Sequence, residues 1–321
     1  MIKVTLPDNT VREYVEGILV RDVTKDISPG LYRQAVGAVV NGKVMGYIEP
    51  LTEDCDFRVV KFDDPEGKEI FWHTSSHVMA AAIKALWPDT KFAIGPAVAD
   101  GFYYDMELDH RFVPEDFEKI EKKMLEIAKD DKKMVRIEVS REEALKMFKE
   151  EGQDYKVELI NDLPEDEIIT LYKMGDVFTD LCRGPHLEST KKIKAVKLKT
   201  IAGAYWRGDS DRQMLQRLYG ISFEKAKQLE QWEELQKEIE RRDHRKIGKE
   251  MDLFAFHEEG PGFPFFHPNG MILMNELLDW WREVLEERGY GEIKTPLIMN
   301  EELWHRSGHW DHYKENMYFT K

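Results

Sequence analysis

Two histidines, His73 and His77, stand four residues apart in the run H-T-S-S-H, and on a helix that spacing projects both imidazoles from one face about one turn apart. Such a pair can serve as two metal ligands or as an acid–base couple. The zinc-protease pattern needs Glu directly after the first His; Thr74 stands there, so that reading fails at its general base. A second cluster, T-D-L-C-R-G-P-H at 179–186, offers Asp180, Cys182 and His186, with Gly184-Pro185 making the segment a turn rather than a helix. Either cluster alone is more often structural than functional, and Asp180 reads equally as a helix or turn cap. Together they supply three His and one Cys, a set able to complete a tetrahedral zinc site or to furnish a water-activating pocket.

These residues need elements to hold them. E-I-F-W-H-T-S-S-H-V-M-A-A-A-I-K-A-L-W at 69–87 predicts a helix with Val78, Ala81, Ala82, Ala85 and Leu86 on one face, stopped by Pro88. The turn-rich D-D-P-E-G at 63–67 predicts a domain joint before it. Upstream, residues 1–62 read as short strands with a helix between them, and V-V-N-G-K-V-M at 39–45 carries the Asn-Gly signal of a tight hairpin. Downstream, Pro114 opens a helix with Phe117, Ile120, Met124 and Ile127 at helical spacing. V-R-I-E-V-S at 135–140 alternates as a strand, R-E-E-A-L-K-M-F-K-E is helical, and Y-K-V-E-L-I at 155–160 alternates as a strand again. Helices interspersed with antiparallel-looking strands predict an α+β fold. From Ser222 to about Gly248 the pattern is a charged helix with a narrow apolar stripe, able to connect two bodies. An amphipathic helix near 269–288, a turn at R-G-Y-G, and E-I-K-T-P as a strand closed by Pro296 follow.

The 321 residues suggest two or three domains, and 42% hydrophobic content with 16 Phe, 12 Tyr and 8 Trp gives them cores, which excludes wholesale disorder. No apolar run approaches the ~18 residues that span a bilayer, and Pro7 interrupts any signal-peptide core. Cys55 and Cys182 could form at most one bridge in so large a chain, so disulfides are not its framework and a reducing, cytoplasmic compartment is expected. The net charge of -15 argues against a non-specific nucleic-acid coat. Two basic runs, K-K-I-K-A-V-K-L-K at 191–199 and R-R-D-H-R-K-I-G-K at 241–249, keep a polyanionic partner open, although each alone reads as a solvated face.

The paired motifs are similar to the H-x-x-x-H and C-x-x-x-H motifs of the editing domain shared by threonyl- and alanyl-tRNA synthetases. Four further strings, A-I-G-P-A-V-A-D-G-F-Y-Y-D (93–105), Y-K-V (155–157), A-G-A-Y-W-R-G-D (202–209) and R-D-H-R-K-I-G-K (242–249), resemble the threonyl-tRNA synthetase family of class II enzymes. The N-terminal 62 residues resemble its ubiquitin-like TGS module, and the long helix with G-Y-G-E-I-K-T-P resembles class II motif 1, with Pro296 as its proline. The resemblance implies an α+β multidomain fold. Its parts are a β-grasp TGS domain at 1–62, an α+β editing domain at 63–224, a linker helix at 225–242 and a truncated class II α/β catalytic domain at 243–321.

It further implies hydrolysis of serine wrongly esterified to threonine tRNA, because a synthetase pocket separates one methyl-sized difference by only ~10–200-fold and needs a second sieve. Residue by residue, His73 and Lys156 are assigned to water activation and leaving-group protonation, without deciding which does which. His77, Tyr104, Asp180, Cys182 and His186 shape the pocket and bind the terminal adenosine or the serine hydroxyl. Outside the resemblance, Tyr104 and Lys156 read as ordinary core and surface residues. No cofactor is expected for editing, and no metal at this site; were zinc to bind, its ligands would be His73, His77, Cys182 and His186. ATP, Mg and Zn are implied only for the catalytic half, whose ATP-gripping arginines have no counterpart up to Lys321, so adenylate formation is not expected. Implied partners are threonine tRNA, with its 3′ end in the site, mischarged serine, and a second copy in a full-length homodimer. Two alternatives stay open: a zinc-dependent hydrolase of the alanyl type, and a non-catalytic tRNA-binding or regulatory module.

Overall fold

Alternation in I-K-V-T turns Ile2 and Val4 inward from the strand Ile2–Thr5. In the computed structural model, which describes residues 1–319, that strand belongs to a five-stranded sheet in the spatial order Val11–Tyr14, Ile2–Thr5, Cys55–Lys61, Ala35–Val40, Lys43–Gly46. Ile2–Thr5 runs parallel to Cys55–Lys61, and the other neighbours are antiparallel. Asn41 and Gly42 turn the last hairpin with φ of 49° and 78°, the left-handed pair that Asn-Gly favours. The helix Val20–Ile27 buries Val20 and Val23 among Val4, Ala38 and Phe57, which completes a β-grasp arrangement.

The helix carrying H-T-S-S-H runs Pro65–Leu86, four residues earlier than the periodicity predicts, because Pro65 is preset for the first turn and Asp64 accepts the Lys61 N–H just before it. Fourteen of its 22 residues are buried, so it is a core helix wrapped on several sides rather than an amphipathic one with a single inner stripe. Ala85, expected on the inner face, is exposed. One side packs on an antiparallel sheet of Ala195–Tyr205, Met214–Phe223, Gly101–Glu107 and Lys91–Phe92, and Asp116–Lys129 packs beside it through Ile120, Met124 and Ile127.

A three-stranded antiparallel sheet, Met134–Val139, Ile169–Met174 and Phe178–Leu181, stands next in the chain, covered by the helices Arg141–Glu150 and Asp154–Asp162. The second of these corrects the predicted strand at 155–160. Tyr155, Lys156 and Ile160 are its buried positions, a helical spacing, and Asp154 occupies its first turn; six residues of mixed character fit both periods.

The predicted charged helix from Ser222 also divides differently. Ser222 and Phe223 end the strand Met214–Phe223 as buried residues, and the helical stretch is two helices, Ala226–Arg241 and His244–Glu250, the second capped by the Asp243 carboxylate on the Arg245 N–H. Compactness divides the chain into Met1–Leu235 and a second unit from Gln236 onward. Within the second unit the amphipathic helix is Pro268–Glu287. E-I-K-T-P forms no strand among the described residues: a strand needs a hydrogen-bonded neighbour, and Ile293 is 84% exposed with none beside it. Thr320 and Lys321, the end of the predicted third region, lie outside the described residues. No helix among the described residues is long and apolar enough to cross a membrane.

Candidate functional site

The long helix sets His73 and His77 one turn apart, ring centroids 5.1 Å from each other. The turn after strand Phe178–Leu181 folds back over them and brings the His186 ring to 4.2 Å from His73 and 4.3 Å from His77. Cys182 closes the group, its Sγ 3.3 Å from His73 Nε2 and 3.2 Å from His186 Nε2. The ligand atoms of these four residues all lie within 4.8 Å of one another, so two motifs more than a hundred positions apart make one cluster. His73 and Cys182 are partly buried, and His77 and His186 are fully buried.

Asp180 lies two residues before Cys182 and therefore on the same side of the extended chain. Its carboxylate accepts from the Tyr104 hydroxyl at 2.5 Å and faces His77 Nε2 at 3.3 Å. Lys156, from the first turn of Asp154–Asp162, makes an ion pair with Asp180 and donates to the Tyr104 hydroxyl at 3.0 Å. Tyr104 projects from the middle of Gly101–Glu107 and is fully buried. All seven side chains singled out from the sequence therefore meet in one place, drawn from a helix, a sheet strand, a second helix and the strand-to-turn segment 180–186.

Burial governs the protonation of the cluster. It lowers His73 to about 4 and His77 to about 3, outweighing the pull of Asp180, and it drives His186 well below the usual imidazole range. The same burial, with Asp180 adding to it, pushes the Cys182 thiol up to about 12 and raises the Tyr104 phenol. For Asp180 burial opposes ionisation, but Lys156, then His77, outweigh it and hold its carboxyl below the ordinary value. At neutral pH the site thus presents three neutral imidazoles, a thiol, a phenol and one internal ion pair.

Two contributors went unread in the sequence. Thr74 Oγ1 donates to the Ile70 carbonyl and accepts the Leu187 N–H. With its one proton committed, it can meet His186 Nδ1, at 3.3 Å, only as an acceptor. His186 is thereby fixed with a proton on Nδ1 and with Nε2 open to the Cys182 thiol. Tyr172, fully buried, sits opposite Asp180 in the sheet register, with its ring 4.5 Å from His186 and its hydroxyl without a partner. Gly184 passes over that hydroxyl at φ 76°, and a Cβ there would lie 2.3 Å from the oxygen. Only strand register places Tyr172, and register is invisible until the strands are paired.

The basic runs are largely internally compensated. Lys192, Lys197 and Lys199 pair with Glu224, Glu121 and Asp100, and Lys191 lies 3.5 Å from Asp131 with its side chain 69% exposed. In the second run Arg241 and Arg242 share Glu238, and Arg245 pairs with Asp243.

Residues 2–61 match the TGS domain family, and residues 169–219 match the family described as the threonyl and alanyl tRNA synthetase second additional domain. The latter stretch contains Tyr172, Asp180, Cys182 and His186. Across all of its residues the chain is 63% identical to a threonine–tRNA ligase of Finegoldia magna, 60% to one of Clostridioides difficile and 56% to one of Clostridium tetani. Each alignment covers 100% of this chain and 50% of the relative, so the chain spans about half the length of the curated relatives it matches.

Proposed function

We propose, from the premise that the chain corresponds over its whole length to the N-terminal half of the threonine–tRNA ligase family, that its histidine–cysteine cluster hydrolyses serine esterified in error to threonine tRNA. The observation that carries this reading is the convergence of His73, His77, Cys182 and His186 in one cluster beside the Lys156–Asp180 pair. In the same reading, residues 1–62 are a TGS domain, 63–224 the editing domain, 225–242 a linker helix and 243–321 the start of a class II catalytic domain.

The ester carbonyl is placed beside His73, the one histidine of the cluster that is not fully buried. Neutral His73 takes a proton from water as the water oxygen bonds to the carbonyl carbon. The Lys156 ammonium supports the negative charge that develops on the carbonyl oxygen. Cleavage of the bond between that carbon and the ribose oxygen then returns a proton from the imidazolium to the departing ribose oxygen, leaving free serine and uncharged tRNA with its ribose hydroxyl restored. His77, Tyr104 and Asp180 hold Lys156 and the serine hydroxyl, and threonine is spared because its extra methyl has no room.

A zinc-dependent hydrolysis is the second reading, favoured by the four donors lying within 4.8 Å, a three-nitrogen, one-sulfur set that suits zinc. His73, His77, Cys182 and His186 would hold the ion, which would supply Lewis acidity at the site. The metal-free reading stands first because zinc would commit both helix histidines as ligands, leaving neither to carry protons, and would make the neighbouring Lys156 ammonium redundant. Deacylation of Ser-tRNA and Thr-tRNA for threonine, each with and without a chelator, tests both. Serine-selective hydrolysis that survives chelation is expected. Equal rates on the two esters overturn the sieve, and a chelator-sensitive rate restored by zinc establishes the second reading.

A further inference from the structure

The β-grasp module does not merely precede the site in the chain; it leans on the turn that carries His186. Gly46, at the end of its strand Lys43–Gly46, is buried against the backbone of His186 so closely that a Cβ would stand 2.5 Å from the His186 carbonyl oxygen and 3.1 Å from its nitrogen. The Glu49 carboxylate accepts the Gly46 N–H at 2.9 Å and fixes that strand end. Two residues past His186, Glu188 is gripped by the same module: Arg21 pairs with it at 2.9 Å and the Tyr32 hydroxyl donates to it at 2.8 Å. The other side of the turn is tied to the long helix by Thr74 on the Leu187 N–H. The His186 segment is therefore clamped between the site's own helix and the N-terminal module. That module also shares a core with the helix through Val36, Val60 and Phe62.

We infer that Gly46, Arg21 and Tyr32 are positioning residues for the hydrolytic site, the N-terminal module acting as the backstop that sets His186 against Cys182 and His73. This rests on the function proposed above, and among the described residues no hydrogen bond or ring contact joins a side chain of the module to the cluster itself. Relieving a 2.5 Å contact to ordinary packing near 3.4 Å requires a shift approaching 1 Å, and misplacement on that scale costs catalysis about 10²-fold. A loop held on one side only would be under no such constraint.

The test is Gly46→Ala in the whole chain, with Arg21→Met and Arg21→Lys as companions, read in two ways. One readout is the kcat and KM for deacylation of Ser-tRNA for threonine. The other is the alkylation rate of Cys182 by iodoacetamide, followed on its own peptide so that Cys55 does not interfere. For Gly46→Ala we expect kcat to fall by about 10- to 100-fold with KM within twofold, and Cys182 alkylation to rise several-fold as the turn lifts from His73. Arg21→Met should shift both readouts in the same direction by a smaller factor, and Arg21→Lys should restore them. Unchanged kcat and alkylation in folded Gly46→Ala would overturn the inference, as would faster alkylation with unchanged kcat. If Gly46→Ala fails to fold, the Arg21 pair decides by the same criteria. Wild-type protein without deacylase activity would refute the proposed function instead, and alkylation alone would then show whether the module holds the turn.

Discussion

Asp180→Asn should destabilise the first unit more than any surface change, because Asp180 and Lys156 form an ion pair whose side chains are each only 3% exposed. Replacing the carboxylate leaves the ammonium buried with only neutral acceptors, the amide oxygen and the Tyr104 hydroxyl, and breaking one side of such a pair costs about 3–5 kcal/mol. Lys156→Met should cost less, toward 3 kcal/mol, since the stranded carboxylate keeps the Tyr104 hydroxyl and His77. The double variant removes both charges and should recover to within about 1–2 kcal/mol of the wild type, an interaction term of several kcal/mol in the cycle. For a unit of this size each kcal/mol moves the melting temperature by about 2–4 °C, so Asp180→Asn should melt about 6–20 °C lower. Urea unfolding and calorimetry on the four proteins give the cycle. All three variants should also lose deacylation, which separates the thermodynamic rescue from a functional one. Single variants within 1 kcal/mol of wild type, or strictly additive effects, would refute the argument that this charge pair is buried and mutually dependent.

His73→Ala should lower deacylation by about 10²- to 10⁴-fold, the range for losing an acid–base group, while leaving the melting temperature within a few degrees. A loss that tracks unfolding would make His73 a packing residue instead. Acid should destabilise the protein before its carboxylates titrate. His73, His77 and His186 have folded pKa values below the unfolded value near 6.5, so the stability they contribute by staying neutral is complete above that pH. It is lost as pH falls through 6.5 toward 4, at up to ~1.4 kcal/mol per pH unit for each histidine. A urea midpoint that stays flat between pH 7 and pH 5 would show that these imidazoles are not held neutral by burial.

What could be read in the sequence was whatever a local rule determines. H-T-S-S-H sits on the helix its spacing demands, Asn41-Gly42 makes the predicted hairpin turn, and Ile120, Met124 and Ile127 face inward as their period requires. Local rules failed where two periods overlap or a distant partner decides. Y-K-V-E-L-I reads as a strand, yet it is a helix whose Ile160 packs with Ala144 and Phe148 and whose Tyr155 packs with Ala93, Trp206 and Leu215. E-I-K-T-P reads as a strand, but pairing rather than propensity makes one. His73, His77, Asp180, Cys182 and His186 stood out by type and spacing, whereas Tyr104 and Lys156 were reached only through the motif resemblance, because Lys156 looks like a surface lysine until Asp180 is placed beside it. Thr74 was passed over for a related reason: its importance lies in which carbonyl, amide and imidazole surround one hydroxyl, and only Ile70 is near it in sequence.

The assembled site also shows how such a cluster can sit inside a core. An unpaired ion buried there would cost several kcal/mol, and seven polar side chains ionising independently could not be accommodated. Burial keeps the three histidines neutral and Cys182 a thiol, and the remaining charges, on Lys156 and Asp180, cancel each other. Neutral imidazole is also the form that accepts a proton from water. Under the proposed function, the same desolvation keeps His73 unprotonated across the neutral range while making it a weaker base than a free imidazole, and of the three histidines it is the one not fully buried. His77 and His186, equally neutral and fully buried, hold geometry in that reading.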